Sequence, residues 1–216
     1  RIGPAAVRCT TTLELPSVNS SATTIHTIHG NGEVGVDLAF RFDPSEEQKG
    51  PHRIGTELKV PGEFDTLNWY GRGPAATYID RSFEPVGIHT STVDSEWVDY
   101  SRPQANGNKI DVRWFSLTDQ DGTGLLVVAE DQPLSVGAKF YSKATMENSP
   151  YAFQMERSEA IFLNLDHKQL GVGGNNSWWA TALPKYQLLT KEASYSYRLL
   201  PLDPGQSIES RLNFKR

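Results

Sequence analysis

The sequence of 216 residues contains one cysteine, Cys9, so no disulfide framework can form within the chain. Cys9 lies in the run VRCTTTLEL, whose composition is typical of a strand, and it has no local base that would activate a nucleophilic thiol. We therefore expect Cys9 to be a packed strand residue.

Long hydrophobic runs and a strong charge imbalance are also lacking. The longest apolar block, Leu125–Ala129, is only long enough for a strand, whereas a membrane helix needs roughly 20 apolar residues. The net charge of -5 argues against nucleic acid as a main partner, because phosphate backbones are bound by basic surfaces. These features predict a soluble protein, cytoplasmic or periplasmic, with neither a membrane nor a nucleic acid as its partner. The chain begins at Arg1 without a charged-then-apolar leader, and we expect it to be a piece of a longer protein.

Long amphipathic helical patterns are absent as well, and only YSKATMEN could form a turn or two of helix. Apolar residues instead alternate with a period of two, which is typical of strands with one buried face. The alternating runs are GEVGVDLAFRF, RIGTELKV, IDVRW, YSYRLL and SIESRLNF. Two denser runs, LLVVAE and IFLNL, are typical of strands buried on both faces. With glycine- and proline-rich turns between them, these runs predict one all-β domain, a sandwich or barrel, over residues 1–216.

The sequence contains only weak candidates for a metal site or for a pair of carboxylates that could hydrolyse a glycoside. His26 and His29 are three residues apart in TTIHTIHG, which would place them on opposite faces of a strand. The carboxylates in VDSEWVDYSRP, Asp94, Glu96 and Asp99, would need to form a pair with separated pKa values to hydrolyse a glycoside. Nothing local would separate those pKa values, so we expect a solvated acidic loop.

The stretch GVGGNNSWWATALP, residues 171–184, combines glycines with adjacent tryptophans. It lacks the Lys and Ser/Thr of a phosphate-binding loop, and no helix pattern follows its glycines, so we exclude nucleotide binding. The tryptophans could either cover the core or stack on a sugar, and Asn175 and Asn176 carry donors and acceptors that suit hydroxyl groups. The glycines predict a tight, irregular turn that carries Trp178 to the edge of the domain.

Three segments stand in a recognisable order: LNWYGRGPAATYIDR (67–81), SRPQANGNKIDVRWF (101–115) and FLNLDHKQLGVGGNNSWW (162–179). They resemble NWYGRGPxENYxDR, PQENGNxxDVRW and LNxDxxQxGxGGxDSW of the C-terminal small-chain domain of glycoside hydrolase family 2 β-galactosidases. The resemblance runs from about Arg53 to about Leu200, and the earlier residues fit the preceding strands of that domain. The strands that open the family's domain, with an RAPxDND-like motif, have no counterpart here.

The resemblance implies an all-β super-sandwich of two large antiparallel sheets, related to galactose mutarotases and lacking its first strands. It also implies that the two catalytic glutamates lie on a separate (β/α)8 barrel, so this chain would hold no catalytic residue. In the family, the tryptophan corresponding to Trp178 forms part of the wall where the aglycone of the galactoside substrate stacks, and Asn175 and Asn176 would shape that loop. Arg72, Asp80 and Arg81 would brace the loops internally through charge-assisted hydrogen bonds.

The resemblance implies no cofactor or metal in this chain. Magnesium and sodium ions that family 2 β-galactosidases use would be bound elsewhere, and the partners would be the catalytic barrel and the other domains of a larger enzyme. Family carboxylates are replaced by Ala76, Ala105 and an asparagine of the pair Asn175 and Asn176, which questions specificity for β-galactosides. Two alternatives stay open: a stand-alone carbohydrate-binding module and an aldose mutarotase, for which we find no histidine–carboxylate motif.

Overall fold

The computed structural model describes residues 6–16, 19–42, 50–176, 178 and 180–212, and this part of the chain folds mainly into antiparallel strands. Twelve strands and two short α-helices are formed by the described residues. Their bounds in chain order are β1 Ala6–Leu15, β2 Ser20–His29, β3 Val34–Phe42, β4 Arg53–Pro61, β5 Thr66–Arg72, β6 Val86–Thr92, β7 Lys109–Val112, β8 Trp114–Thr118, β9 Gly124–Ala129, β10 Leu134–Lys139, α1 Lys143–Asn148, β11 Ala160–Gln169, β12 Glu192–Leu202 and α2 Ile208–Leu212. Neither helix is long and apolar enough to cross a membrane.

The strands form two sheets, so the predicted all-β super-sandwich is confirmed. The larger sheet has eight strands in the order β1-β2-β3-β12-β9-β8-β5-β6, and the smaller has four in the order β4-β11-β10-β7. The main hydrophobic core takes residues from both sheets, with Trp69 and Leu117 from the larger sheet and Val136 and Leu163 from the smaller. Burial of these side chains holds the two layers together, since apolar burial is the dominant favourable contribution to folding.

Most of the alternation read from the sequence is confirmed by the core. In β3, Val36 and Leu38 are buried while Asp37 between them is exposed. The dense run of β9 is buried on both faces, because Val127 joins the main core and Leu126 joins a second cluster. The short helix predicted in YSKATMEN is α1, and Ser142 caps it by accepting the Thr145 N–H at 2.9 Å.

The prediction of a strand in SIESRLNF is wrong, since this run forms helix α2. Ile208 and Leu212 pack on the second cluster, which contains Trp114. Residues four apart share a face in both a strand and a helix, so their spacing fits either structure. Ser207 decides the outcome locally, because its hydroxyl accepts the Ser210 N–H at 3.2 Å as a helix N-cap does. Phe214 lies outside the described residues.

The prediction that IDVRW forms one strand with one buried face is also wrong. The chain changes sheets at Arg113, because β7 belongs to the smaller sheet and β8 to the larger. Val112 therefore packs in the main core, whereas Trp114 packs in the second cluster. Asp111 has a φ of 56°, a backbone conformation that turns the chain between the two layers.

Cys9 lies in β1, as the strand pattern predicts, but it is exposed, so the expectation of a packed residue is wrong. Strand β1 forms the end of the larger sheet, and every side chain from Val7 to Leu15 on both of its faces is exposed. Its pairing with β2 places Cys9 opposite His26, and both His26 and His29 lie in β2.

Candidate functional site: the Trp178 loop and its supports

A tight turn between Tyr78 and Arg81 presents the first supports of the site. The backbone groups of these two residues bond to each other in both directions, at 2.8 and 3.1 Å. Thr77 anchors the turn to β7: it is fully buried, and its hydroxyl accepts the Ile110 N–H at 3.0 Å. Asn108 completes the anchor by donating its side-chain N–H to the Thr77 carbonyl at 2.9 Å. Asp80 and Arg81 are therefore held by the rigid sheet rather than by a free loop.

Asp80 and Arg81 both bond to the glycine loop that leads to Trp178. The Asp80 carboxylate accepts the Val172 N–H at 3.0 Å and the Gly173 N–H at 2.8 Å, one through each oxygen. Arg81 donates from Nη2 to the Gly173 carbonyl at 3.0 Å. Hydrogen bonds to charged groups are roughly twice as strong as neutral ones, so this pair fixes both polar groups of the Gly173 backbone.

Two glycines make this close approach possible. Gly173 has a φ of 63°, and a Cβ at this position would lie 2.7 Å from the Ala180 carbonyl oxygen. A Cβ on Gly171 would lie 2.7 Å from the Asp80 carboxylate. The loop ends are also joined, because Gly174 donates its N–H to the Ala180 carbonyl at 2.9 Å. The tight turn predicted from the glycines is therefore present, and a side chain at either position would disrupt it.

Trp178 lies at the surface, with 85% of the residue exposed. Its backbone N–H donates to the Asn176 side-chain oxygen at 2.8 Å, and both Asn175 and Asn176 are exposed. A large apolar ring that is left in solvent on a braced loop differs from a core tryptophan such as Trp69, which is fully buried. Ser177 and Trp179 lie outside the described residues.

Arg72 contacts a different segment from the Trp178 loop. Its Nη1 donates to the carbonyls of Ser82 at 3.0 Å and Glu84 at 2.9 Å, and its Nε pairs with Asp111. Among the described residues, Arg72 shares no hydrogen bond with Asp80, Arg81 or the Trp178 loop. The structure thus brings Asp80 and Arg81 together at the Trp178 loop and places Arg72 on the segment that follows them.

Asn108 is a support that the sequence analysis did not single out. Its side-chain oxygen accepts from Ser135 at 3.0 Å and from Gln169 at 2.7 Å, while its nitrogen holds Thr77. Asn106 holds the preceding loop, bonding to both backbone groups of Val98 at 3.0 Å. The signal was the NGN motif itself, since buried amides are used where a backbone needs two hydrogen bonds at once.

The carboxylates of the acidic loop have separate partners. Asp94 pairs with Arg157 at the surface, and Asp99 accepts the Trp97 indole N–H at 2.8 Å. Glu96 is not solvated as we expected, because its side chain is only 13% exposed and it pairs with Lys109. The reason is the packing of Lys109, whose ammonium lies 4.9 Å from the Trp69 ring and needs a buried counter-charge. Burial lowers the pKa of Lys109, and the hydrogen bond that Lys109 donates to Glu96 opposes this effect.

The positions where this chain lacks a carboxylate of the motifs that it resembles are all exposed. Ala76 and Ala105 are exposed, as are Asn175 and Asn176. Charge changes at exposed sites have small effects on folding, so the departures alter the surface rather than the core. Among the described residues, no group of three or more His, Cys, Asp or Glu side chains could hold a metal ion.

Fold and loop together define an all-β sandwich domain that presents an aromatic loop at its surface. A family model described as the beta galactosidase small chain matches residues 3–199, and the chain belongs to this family. The match begins well before Arg53, so the family resemblance includes the N-terminal strands.

The relatives of the chain include several β-galactosidases. It is 32% identical over 192 residues to the beta-galactosidase of Priestia megaterium and covers 18% of that protein, with 88% of this chain aligned. It is 31% identical over 189 residues to beta-galactosidase BgaC of Bifidobacterium adolescentis, with 86% of this chain and 18% of that protein aligned. The chain therefore spans about a fifth of the length of these curated relatives.

Solved structures with a similar chain path include a galactose 1-epimerase from Lactobacillus acidophilus. The match has a TM-score of 0.47 and 11% identity, and it covers 94% of this chain and 65% of that one. A GalM/aldose epimerase homologue from C. elegans matches with a TM-score of 0.48 and 7% identity, covering 95% of this chain and 68% of that one.

Proposed function

We propose that this chain is the C-terminal domain of a glycoside hydrolase family 2 β-galactosidase. The activity of that enzyme would be retaining hydrolysis of terminal β-D-galactosides by two glutamates on a barrel domain that this chain does not contain. The role of this chain would be to supply the Trp178 loop as a wall of the sugar and aglycone site. Membership of the small-chain family supports this proposal, together with the 18% of each full-length relative that the chain covers.

The observation that carries the proposal is the exposure of Trp178 on a loop that is otherwise firmly braced. An indole ring left 85% exposed on a braced loop is available to a partner surface or a ligand. The axial C–H face of a sugar stacks favourably on such a ring, and Asn175 and Asn176 would offer hydrogen bonds to its hydroxyls. Asp80 and Arg81 would act as positioning residues that hold the loop, whereas Arg72 would brace the adjacent segment.

The three lost carboxylates, at Ala76, Ala105 and one of the pair Asn175 and Asn176, would tune the surface of the domain. Carboxylates at these positions would bond to arginines or loop amides at a domain junction, and alanine or asparagine would remove that charge. We propose that the consequence is a changed preference among sugars or linkages, with the fold retained. The magnesium and sodium of family 2 β-galactosidases would be bound by other domains.

The test is Trp178→Ala in the full-length protein that carries this chain, compared with Trp178→Phe, which keeps an aromatic ring. We expect the alanine variant to raise KM for a disaccharide about tenfold, because aromatic stacking contributes about 0.5–1.5 kcal/mol beyond burial. The phenylalanine variant should retain most of the affinity. Phe153→Ala removes another exposed aromatic ring and serves as the matched control. Unchanged disaccharide kinetics in Trp178→Ala would refute the role of the loop.

Whether this chain is part of a larger enzyme is tested separately by sequencing the reading frame upstream of Arg1. A barrel with two glutamates at its strand ends would support the enzyme. An unrelated domain would instead favour a stand-alone carbohydrate-binding module. Polarimetry on fresh α-galactose distinguishes a mutarotase, which would accelerate the change in rotation over buffer.

A further inference from the structure

A second concave surface lies on the smaller sheet. The cleft has a volume of about 1280 Å³, and its floor is formed by β4, β11 and β10. One wall is the segment 101–105, and the other runs from α1 to Tyr151. Pockets that bind small ligands usually measure about 300–1,000 Å³, so this open cleft has room for a molecule of one or two sugar rings. Trp178, Asn175 and Asn176 do not line it.

Strand alternation gives this cleft a polar floor. In β11, Leu163 and Leu165 point into the main core, so Asn164 and Asp166 point to the opposite face. The same alternation in β10 sends Ala138 to the core and Lys139 to the cleft. Asn164, Asp166 and Lys139 are buried, but they lie on the face of the smaller sheet that is opposite the hydrophobic core.

A hydrogen-bond network crosses the floor from strand to strand. Arg53 pairs with Asp166 at 2.7 Å, and Gln169 donates to the same carboxylate oxygen at 2.8 Å. Lys139 donates to the Asn164 oxygen, and the Asn164 nitrogen donates to Glu57 at 3.0 Å. The polar side chains are thus held in fixed positions before any ligand arrives, which lowers the entropic cost of binding.

Burying these charged and polar groups costs free energy that a surface serving only to pack the fold would not need to spend. Burying charged groups costs several kcal/mol per ion unless each is paired, and apolar replacements are often more stable. Lys139 carries three N–H donors, yet Asn164 is its one hydrogen-bond partner among the described residues. Asp166 Oδ1 is buried without a hydrogen-bond partner in the described part of the chain. Buried polar groups usually have hydrogen-bond partners, so both groups have bonding capacity left for a ligand.

The charges on the floor indicate the class of ligand. The lining carries charges of both signs, with Arg53, Arg102, Lys139 and Lys143 alongside Glu57, Glu147 and Asp166, so an anion would meet carboxylates and a cation would meet guanidinium and ammonium groups. A neutral molecule with many hydroxyl groups can use donors and acceptors of both kinds. At the rim, Tyr151 is half exposed and offers a ring face for stacking.

We propose that this cleft binds a short neutral saccharide, with Arg53, Glu57 and Lys139 bonding to its hydroxyls and Tyr151 stacking on a ring. Asp166 acts beneath them by orienting Arg53. Gly55 permits this arrangement, because a Cβ there would lie 1.9 Å from Asp166 Oδ1. The site is independent of the function proposed for the Trp178 loop, so either proposal can fail alone.

The experiment is a titration of the 216-residue chain with D-galactose, D-glucose and lactose, followed by amide chemical shifts in NMR and by calorimetry. We expect at least one of the three to bind saturably with a Kd of roughly 1–10 mM. The largest shift changes should fall in β4, β10 and β11. Inorganic phosphate is titrated in parallel, and we expect it to bind at least tenfold more weakly.

Three variants locate the binding. Lys139→Met and Glu57→Leu should each weaken it about tenfold, and Tyr151→Ser at the rim should weaken it about threefold. Trp178→Ala is the control and should leave the affinity unchanged. Because Glu57 and Tyr151 are not buried, their variants test the cleft even if Lys139→Met fails to fold.

Several results would overturn the proposal. These are no saturable binding of any of the three sugars below about 200 mM, equal affinity in Glu57→Leu and Tyr151→Ser, or tighter binding of phosphate than of sugar. Loss of binding in Trp178→Ala would also overturn it, by assigning the sugar to the loop instead. None of these outcomes changes the kinetic test of Trp178 in the full-length protein.

Discussion

Asp80 Oδ2 lies 2.8 Å from the backbone nitrogen of Gly173 and accepts its N–H, which joins two motifs that are 93 residues apart. The turn that carries Asp80 is fixed to β7 through Thr77, and Gly173 belongs to the loop that carries Trp178. The orientation of an exposed tryptophan is thereby coupled to the position of a rigid sheet. This coupling explains how the loop can project into solvent without losing a defined shape.

Replacing Asp80 with asparagine should loosen this loop. The amide group can accept only one of the two N–H groups that the carboxylate accepts, and it turns its own N–H groups toward the other. We expect amide hydrogen exchange at Val172 and Gly173 to accelerate about tenfold, equivalent to about 1.4 kcal/mol, close to the lower end of the range of about 1.5–3 kcal/mol for hydrogen bonds to charged groups. Hydrogen exchange measured by NMR checks this. Asp121→Asn changes an exposed aspartate in another turn and should leave both amides unaffected.

Gly173→Ala should destabilise the chain more than a strained backbone alone would. Gly173 and Gly205 both have positive φ values, 63° and 75°. A Cβ at Gly205 meets nothing within 4 Å, whereas one at Gly173 lies 2.7 Å from the Ala180 oxygen. Gly205→Ala should therefore cost about 1–2 kcal/mol from backbone strain, and Gly173→Ala should cost more. Urea unfolding of both variants measures the difference, and equal losses would contradict the role given to the close contact.

The ion pair of Glu96 with Lys109 should contribute far more than that of Asp94 with Arg157, although both acids lie in one loop. The Lys109 side chain is 2% exposed, so Glu96→Ala would leave a buried ammonium without its counter-charge. We expect a loss of about 3 kcal/mol, the lower end of the range for broken buried pairs. Asp94 is 61% exposed, and Asp94→Ala should cost less than about 1 kcal/mol. Chemical denaturation of the two variants provides the comparison, and similar losses would disprove it.

The sequence predicts the layers of this fold well because one buried face imposes a period of two on β3, and two buried faces impose a dense apolar run on β9. It fails at α2, where Ile208 and Leu212 satisfy strand and helix spacing alike. It also fails at Arg113, where the chain changes sheets although the polarity pattern continues without a break. Local pattern therefore predicts burial but not the points at which the chain changes direction.

The supports of the Trp178 loop were found through the family motif, and the cleft was not found at all. Lys139, Asn164 and Glu57 come from three different strands, and only pairing in the sheet brings them together. A weak signal existed in IFLNLDH, where Asn164 and Asp166 occupy alternate positions of an otherwise apolar strand. Such polar positions in a strand buried on both faces indicate a polar surface on one side, but they do not identify their partners.

The unfolding free energy should depend on pH through Asp166. Burial raises the pKa of this carboxyl to about 7 from an ordinary value of 3.8, although Arg53, Gln169 and Lys139 each act to lower it. The neighbouring carboxylate of Glu57 raises the pKa further. Between about pH 4 and pH 7 the folded chain thus holds a proton that the unfolded chain has lost. The contribution of Asp166 to stability is present at low pH and is lost as the pH rises through this window.

Comparison of the wild-type chain with Asp166→Asn isolates this contribution, since the amide does not titrate. From urea unfolding at several pH values, we expect the stability of the wild type to fall relative to the variant by up to about 1.4 kcal/mol per pH unit between pH 4 and 7. The other carboxylates are common to both proteins, so their effects cancel in the difference. Asp121→Asn should run parallel to the wild type. A difference that is flat across this window would mean that Asp166 is ionised in the folded chain well below pH 7.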